Sequence, residues 1–203
     1  MSVILGLDVS TSIVGVSVVN SCVEPDDLGS HILLLDRVEF KKCKTLFEKA
    51  DLVQSYLTFF KGCDFPNIDR VVLEEPLMGF RPGMSSAQTI STLMRFNGIC
   101  SYIARNTFEK EPEYIGSSHA RKLCGVRLQR TALGGPQKEQ VFFYFKEHDL
   151  KHVVWPLKKS GKQEEWSRDA TDAYCIARAA AIEGVAVPQT KKKKRAKTAT
   201  KTI

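Results

Sequence analysis

Residues 3–19 constrain the fold more than any other stretch of the chain. Two runs of β-formers, VILGLD and IVGVSVV, flank the short polar turn VSTS, and the only charge among them is Asp8. Such a pattern reads as a β-hairpin, and its apolar character places it inside the protein rather than on its surface. Asp8 is carried inside with it. A buried carboxylate without a partner costs roughly several kcal/mol unless it is neutralised or binds a cation. Two readings of Asp8 stay open at this point. It caps the turn, as Asp and Ser commonly do, or it is one of several carboxylates gathered around a cation.

The remaining chain alternates strands and helices. HILLLDRVEF (31–40) reads as a third strand after the loop EPDDLGS, IDRVVLEE (68–75) as a fourth and EYIGSS (113–118) as a short fifth. Helical spacing of Leu46, Phe47, Ala50, Val53, Leu57 and Phe60 predicts a helix over 44–61 with those residues inward. After the Gly/Pro-rich loop PLMGFRPGM, Ser85 and Gln88 predict a capping box. The helix they open runs to about Asn106, with Ile90, Leu93, Met94 and Ile99 facing inward. Further helices are expected near 118–124, after Gly134-Gly135-Pro136, and over 166–183. Leading strands followed by alternation predict a mixed α/β sheet covered by helices. With 203 residues and 43% hydrophobic content, one core and one folded domain are expected.

Charge is unevenly spread. The net charge is +7, but residues 191–203 carry seven basic and no acidic side chains; removing those seven from 30 leaves 23 basic against 23 acidic residues. Within that neutral body, Arg121, Lys122, Arg127, Arg130 and Lys138 fall in a stretch, 117–138, with no acid. It is either an ordinary solvated face or a surface for a polyanion such as nucleic acid. The six cysteines form no C-x-x-C pair, and Cys100 and Cys175 sit among apolar residues, so reduced thiols are expected and zinc is not. No apolar run approaches about 18 residues and no basic region precedes the first strand. These features predict an intracellular protein of a reducing compartment, cytoplasmic or nuclear, without a membrane partner.

Carboxylates recur at three stations. Asp8 ends the first strand, Glu74 and Glu75 end the fourth, and Asp169 and Asp172 stand three residues apart on one face of the last helix. If the first and fourth strands are neighbours, Asp8 and Glu74 converge while Glu75 points away. Four carboxylates around one point call for hard divalent cations, and oxygen ligands favour Mg²⁺ or Mn²⁺. Two such ions about 4 Å apart can activate water and stabilise the leaving oxygen in phosphodiester cleavage. Taken singly, each station also has an ordinary reading: Asp169 as a charge favoured by the helix dipole, Glu75 as an exposed strand end.

Four segments, in order, resemble the RuvC family of Holliday-junction resolvases within the RNase H-like superfamily. GLDVSTSIVGVSVV is similar to the family's G-[IL]-D-x-[GS] strand, and VVLEEP to its second acidic station, where the first glutamate is the ligand. GGPQKEQV, through Lys138, Gln140 and Val141, resembles the G-x-x-x-K-x-Q-V segment, and RDATDAYCIARAA the closing D-A-x-D-A-x-x-I-A helix. The resemblance implies an RNase H-like five-stranded sheet over residues 1–188, followed by a disordered basic tail, 189–203. It implies a crossover junction endodeoxyribonuclease of DNA recombination, repair or replication, working as a homodimer that makes paired nicks in four-way DNA junctions. Carried over by position, Asp8, Glu74, Asp169 and Asp172 hold two Mg²⁺ ions, for which Mn²⁺ substitutes. Lys138 lies near the scissile phosphate, and Arg121, Lys122, Arg127 and Arg130 line the DNA surface.

Two segments depart from the family. An aromatic wedge often follows the second acidic station; here Leu77 stands nearest, with Phe80 further on as the candidate DNA contact. Residues 149–166 look like an insertion, whose two tryptophans with Lys158, Lys159 and Lys162 either grip nucleic acid or form a plain surface loop. Other functions stay open: a nuclease of the same fold acting on flaps, forks or RNA–DNA hybrids, or a non-catalytic DNA-binding module. A sugar-kinase or actin-like ATPase shares the GLDVSTS turn but needs two such domains and lacks the D-x-x-D helix.

Overall fold

The β-formers of residues 3–20 fold as their pattern dictates. In a computed structural model that describes residues 2–23, 25, 29–63, 67–76 and 86–185, β1 (Val3–Val9) and β2 (Ile13–Asn20) pair antiparallel. Ser10 closes their turn: its N–H donates to the Ile13 carbonyl at 3.0 Å, and its hydroxyl accepts from the Ile13 N–H at 3.2 Å. The turn is therefore capped by Ser10, which removes that role from Asp8. β3 (Ile32–Glu39) runs antiparallel outside β2, β4 (Arg70–Glu74) parallel beside β1, and β5 (Glu113–Ile115) parallel outside β4. The order is β3-β2-β1-β4-β5. Because β2 alone runs against the others, β1, β3, β4 and β5 all end at one sheet edge, the edge that carries Asp8.

Alternation along β1 splits its side chains between two helical layers. Val3, Leu5, Leu7 and Val9 pack under α1 (Leu46–Gly62) and α2 (Ala87–Phe108), with Val53, Leu57, Phe96 and Cys100. Ile4, with Val72 of β4, packs under the opposite layer: α3 (Ser117–Leu123), α5 (Gln137–Glu147) and α6 (Trp166–Val185). A single turn, α4 (Thr131–Gly134), precedes α5 and carries no buried residue. This mixed five-stranded sheet flanked by helices is the expected α/β class.

α6 approaches the sheet unusually closely, and two glycines permit it. A Cβ on Gly6 would stand 2.5 Å from the Ala173 carbonyl oxygen, and one on Gly15, opposite Asp8 in the hairpin, 2.1 Å from that of Asp169. No side chain fits at either position, so the backbone of α6 lies directly on β1 and β2.

The helix faces need correction at their N-terminal turns. Phe47 is 75% exposed and Met94 38% exposed, against the expectation that both face inward. In α1 the buried stripe is Ala50, Val53, Leu57 and Phe60. In α2 the fully buried residues begin at Phe96, with Ile90 and Leu93 half-buried before it. The cap of α2 is Ser86, whose hydroxyl accepts the Thr89 N–H at 3.1 Å. Ser85, Leu77, Phe80 and the tail 189–203 lie outside the described residues. Among the described residues no helix is long and apolar enough to cross a membrane, and all six cysteines are free thiols.

Candidate active site

The parallel pairing of β1 with β4 sets Leu7 beside Leu73, so the next residues, Asp8 and Glu74, end up side by side. Glu74 thus stands as a carboxyl neighbour of the buried Asp8. Asn97, buried in α2, fixes the end of β4 by donating its amide to the Glu74 carbonyl at 3.1 Å. Glu75 turns the other way: its N–H donates to the Ile115 carbonyl of β5 and its side chain is exposed. On the other flank, the glycine-lined approach of α6 delivers Asp169 and Asp172.

Lys138, one residue into α5, occupies the centre of the group. Its ammonium donates to Asp169 at 2.7 Å and lies 3.5 Å from Asp172 and 3.8 Å from Asp8. Arg168 pairs with Glu139 and so locks the start of α6 to the start of α5. That pairing keeps Lys138 and Asp169 in register.

Electrostatics report how crowded the charges are. Burial raises the Asp8 pKa well above the usual carboxyl range, helped by the adjoining Glu74 carboxyl and by the charge of Asp172. Burial also pushes Asp172 up to about 6, despite Lys138, with Glu74 and Asp169 adding to the rise. Burial alone would lower the Lys138 pKa, but the charges of Asp8, Asp172 and Asp169 outweigh it and keep the ammonium protonated. Among the described residues no three ligating side chains stand grouped as a ready-made ion cage. The Lys138 ammonium supplies positive charge among them. The donor set is all oxygen and short of counter-charge, which is the chemistry that suits a hard divalent cation.

Asp8, Glu74, Asp172 and Lys138 line a cleft of about 870 Å³. Arg121, Lys122 and Arg127 line it too, with Ser117 and Ser118, the residues that follow β5. Acidic and basic groups from segments over a hundred residues apart thus meet in one open depression. Asp169 joins through its bond to Lys138 rather than as a lining residue. Arg130 does not line the cleft; it is exposed at the start of α4.

Gln140 organises the basic loop. Its amide oxygen accepts from the Gln129 N–H at 2.7 Å, and its amide nitrogen donates to the Gly135 carbonyl at 2.8 Å and the Gln129 carbonyl at 3.2 Å. One side chain therefore ties the loop after Arg127 to the helix that carries Lys138. In segment 149–166 Trp155 is buried and Trp166 is half-buried. Trp155 is 7% exposed, edge-on to Phe142 at 5.1 Å, and the Arg37 guanidinium covers the Trp166 ring at 4.2 Å. The Trp155 ring is not free to stack on a base, and one face of Trp166 is taken by Arg37.

The backbone matches two solved structures along nearly its whole length. Thermus thermophilus RuvC in complex with a Holliday junction substrate is 14% identical, with a TM-score of 0.60 over 91% of this chain and 95% of that one. A second Thermus thermophilus RuvC structure is 16% identical, with a TM-score of 0.56 over 90% of this chain and 95% of that one. The fold is that of RuvC. No family model matches the sequence, and no curated protein does. At this identity the likeness to RuvC lies in the path of the chain. The pairing of the first and fourth strands, and the closing helix laid across them, are features of this RuvC-like fold on which the acidic group depends.

Proposed function

We propose that this chain is a divalent-cation-dependent, structure-specific endonuclease whose substrate is the four-way DNA junction, cut by paired nicks within a homodimer. The observation that carries the reading is the cleft: carboxylates from β1, β4 and α6 face Arg121, Lys122 and Arg127 across one depression. A phosphodiester needs both walls, one to gather cations and one to hold phosphate. The RuvC-like fold, solved for a relative with a Holliday junction, supports the choice of substrate.

Asp8, Glu74, Asp169 and Asp172 would hold Mg²⁺, two ions per site, with Mn²⁺ able to substitute. When bound, such ions lower the pKa of an attacking water and stabilise the leaving oxygen. The chain's own residues do the rest. Lys138, held protonated, is placed to bind a non-bridging oxygen of the scissile phosphate once the carboxylates are neutralised by cation. Arg121, Lys122, Arg127 and Arg130 bind phosphates and set the strand's position without reading sequence. Gln140 and Asn97 orient the loop and the strand end that carry those groups.

Incubation with Mg²⁺ and four-way, flap, fork, RNA–DNA hybrid and linear duplex substrates tests the reading. Symmetric nicks in opposite strands of the four-way junction are expected. Preferred cleavage of flaps, forks or hybrids would move the activity to another substrate. Junction binding without cleavage in Mg²⁺ or Mn²⁺ would make the chain a binding module.

A further inference from the structure

The cleft leaves one set of cations at the same sheet edge unused. β3 ends at Glu39, two strands from β1, and the turn leaving it reads Phe40-Lys41-Lys42-Cys43-Lys44, with all three lysines exposed. Beside it stands a tight hairpin in the inserted segment. Leu157 and Gln163 pair, the Lys158 N–H donates to the Lys162 carbonyl at 2.7 Å, and Gly161 takes the left-handed turn at φ +77°. The hairpin is anchored at both ends, by Trp155 in the core and by Trp166 against Arg37 of β3. Its lysines are therefore presented from a fixed platform.

A count of partners separates structural cations from free ones. Glu39 takes Arg37 at 2.9 Å and Lys41 at 2.6 Å, and Glu165 takes Lys158 at 2.7 Å. Lys42, Lys44, Lys159 and Lys162 are exposed and belong to none of the ion pairs among the described residues. They lie across the acidic group from Arg121, Lys122 and Arg127, which follow β5 at the other end of the sheet. Four strand spacings of about 4.8 Å put the two flanks roughly 19 Å apart. At about 3.4 Å per nucleotide along one strand, that span is roughly five or six phosphates.

We infer that Lys42, Lys44, Lys159 and Lys162 form a second phosphate seat, so that a DNA strand crossing the carboxylates is held on both sides of the cut. The seat rests on the proposed nuclease reading and adds to it the direction in which DNA leaves the cleft. It is built by residues outside all four segments that resemble RuvC, and it gives the insertion a role without its tryptophans.

The test compares the full chain with Lys42→Ala/Lys44→Ala/Lys159→Ala/Lys162→Ala on a four-way junction in Ca²⁺, at several salt concentrations. A control replaces Lys61 and Lys110, which lie at the opposite edge of the sheet, beside Asp69 where β4 begins, with alanine. Each lost phosphate contact reduces the slope of log affinity against log salt by about 0.9, so the quadruple variant should lose about 3–4 from it. The control should keep the parent slope. Hydroxyl-radical footprints should shorten on one side of the cleavage site only. All substituted side chains are exposed, and equal melting temperatures confirm that the variants fold. A parent that binds junctions while the quadruple variant keeps its slope and footprint overturns the seat and leaves the nuclease reading intact. A parent that binds no DNA overturns both.

Discussion

Asp8 and Asp172 bind protons more tightly in the folded protein than as free carboxyls, and this has a measurable sign. Burial raises Asp172 from the usual 3.8 to about 6. Between those values the folded state keeps a proton that the unfolded chain has released, so stability falls as pH rises through the window. Asp172→Asn removes the titration. Without divalent ions, its melting temperature should gain on the parent's from about pH 4 to 6 and hold that lead at higher pH. Each kcal/mol corresponds to roughly 2–4 °C for a chain of this size. Mg²⁺ should raise the parent's melting temperature more than the variant's, which thermal scans with and without the ion will show. For cleavage the signs reverse: Asp8→Asn, Glu74→Gln, Asp169→Asn and Asp172→Asn should each abolish nicking while junction affinity persists, because affinity comes from Lys and Arg on phosphate. Glu75→Gln should be mild, since its side chain turns away from Glu74. Inactivation by Glu75→Gln but not by Glu74→Gln, in a nicking assay, would shift the assignment by one residue.

Secondary elements explain why the site exists at all, and the glycines under α6 make the point testable. Gly15→Ala forces a methyl group against the Asp169 backbone and should cost about 1–3 kcal/mol in a denaturant titration. Gly98→Ala, on an exposed turn of α2 with open space around it, should instead stabilise by about 0.5–1 kcal/mol. The same chemical change thus has opposite signs at two positions. Strand positions were legible in the sequence because β-rich runs between turn residues leave few alternatives; two acidic stations were legible because each ends such a run, and the third because Asp169 and Asp172 share a helix face. Phe47 and Met94 were misplaced because a 3.6 period shows which residues share a face but not where the partner sheet stops. α4 is one turn long, too short to show a period. Asn97 did leave a signal, a polar residue between Phe96 and Cys100 on an apolar stripe. Lys42 and Lys44 left none, since only the sheet order brings the end of β3 to the edge that carries Asp8.

Across the whole molecule, charge is divided between a body that is neutral in sum and a C-terminal segment with seven basic residues. Deleting residues 191–203 should weaken binding to junction and linear duplex alike and flatten its salt dependence, while preference for the junction survives in the folded body. Paired titrations on the two DNA forms measure both quantities; loss of preference with the segment would place recognition there. The acidic group itself spans the molecule in time as well as in space. Asp8 belongs to the first hairpin and Asp172 to the last helix, 164 positions later. At about 5–20 residues per second, a ribosome needs roughly 8–33 s to travel from one to the other. Until the end of that interval Asp8 lacks the α6 carboxylates, and until position 138 is made it lacks Lys138 as well. A chain released at any point before the last helix therefore lacks at least two of the four carboxylates, Asp169 and Asp172. On the proposed nuclease reading, premature termination should yield an inert fragment rather than an unregulated nuclease.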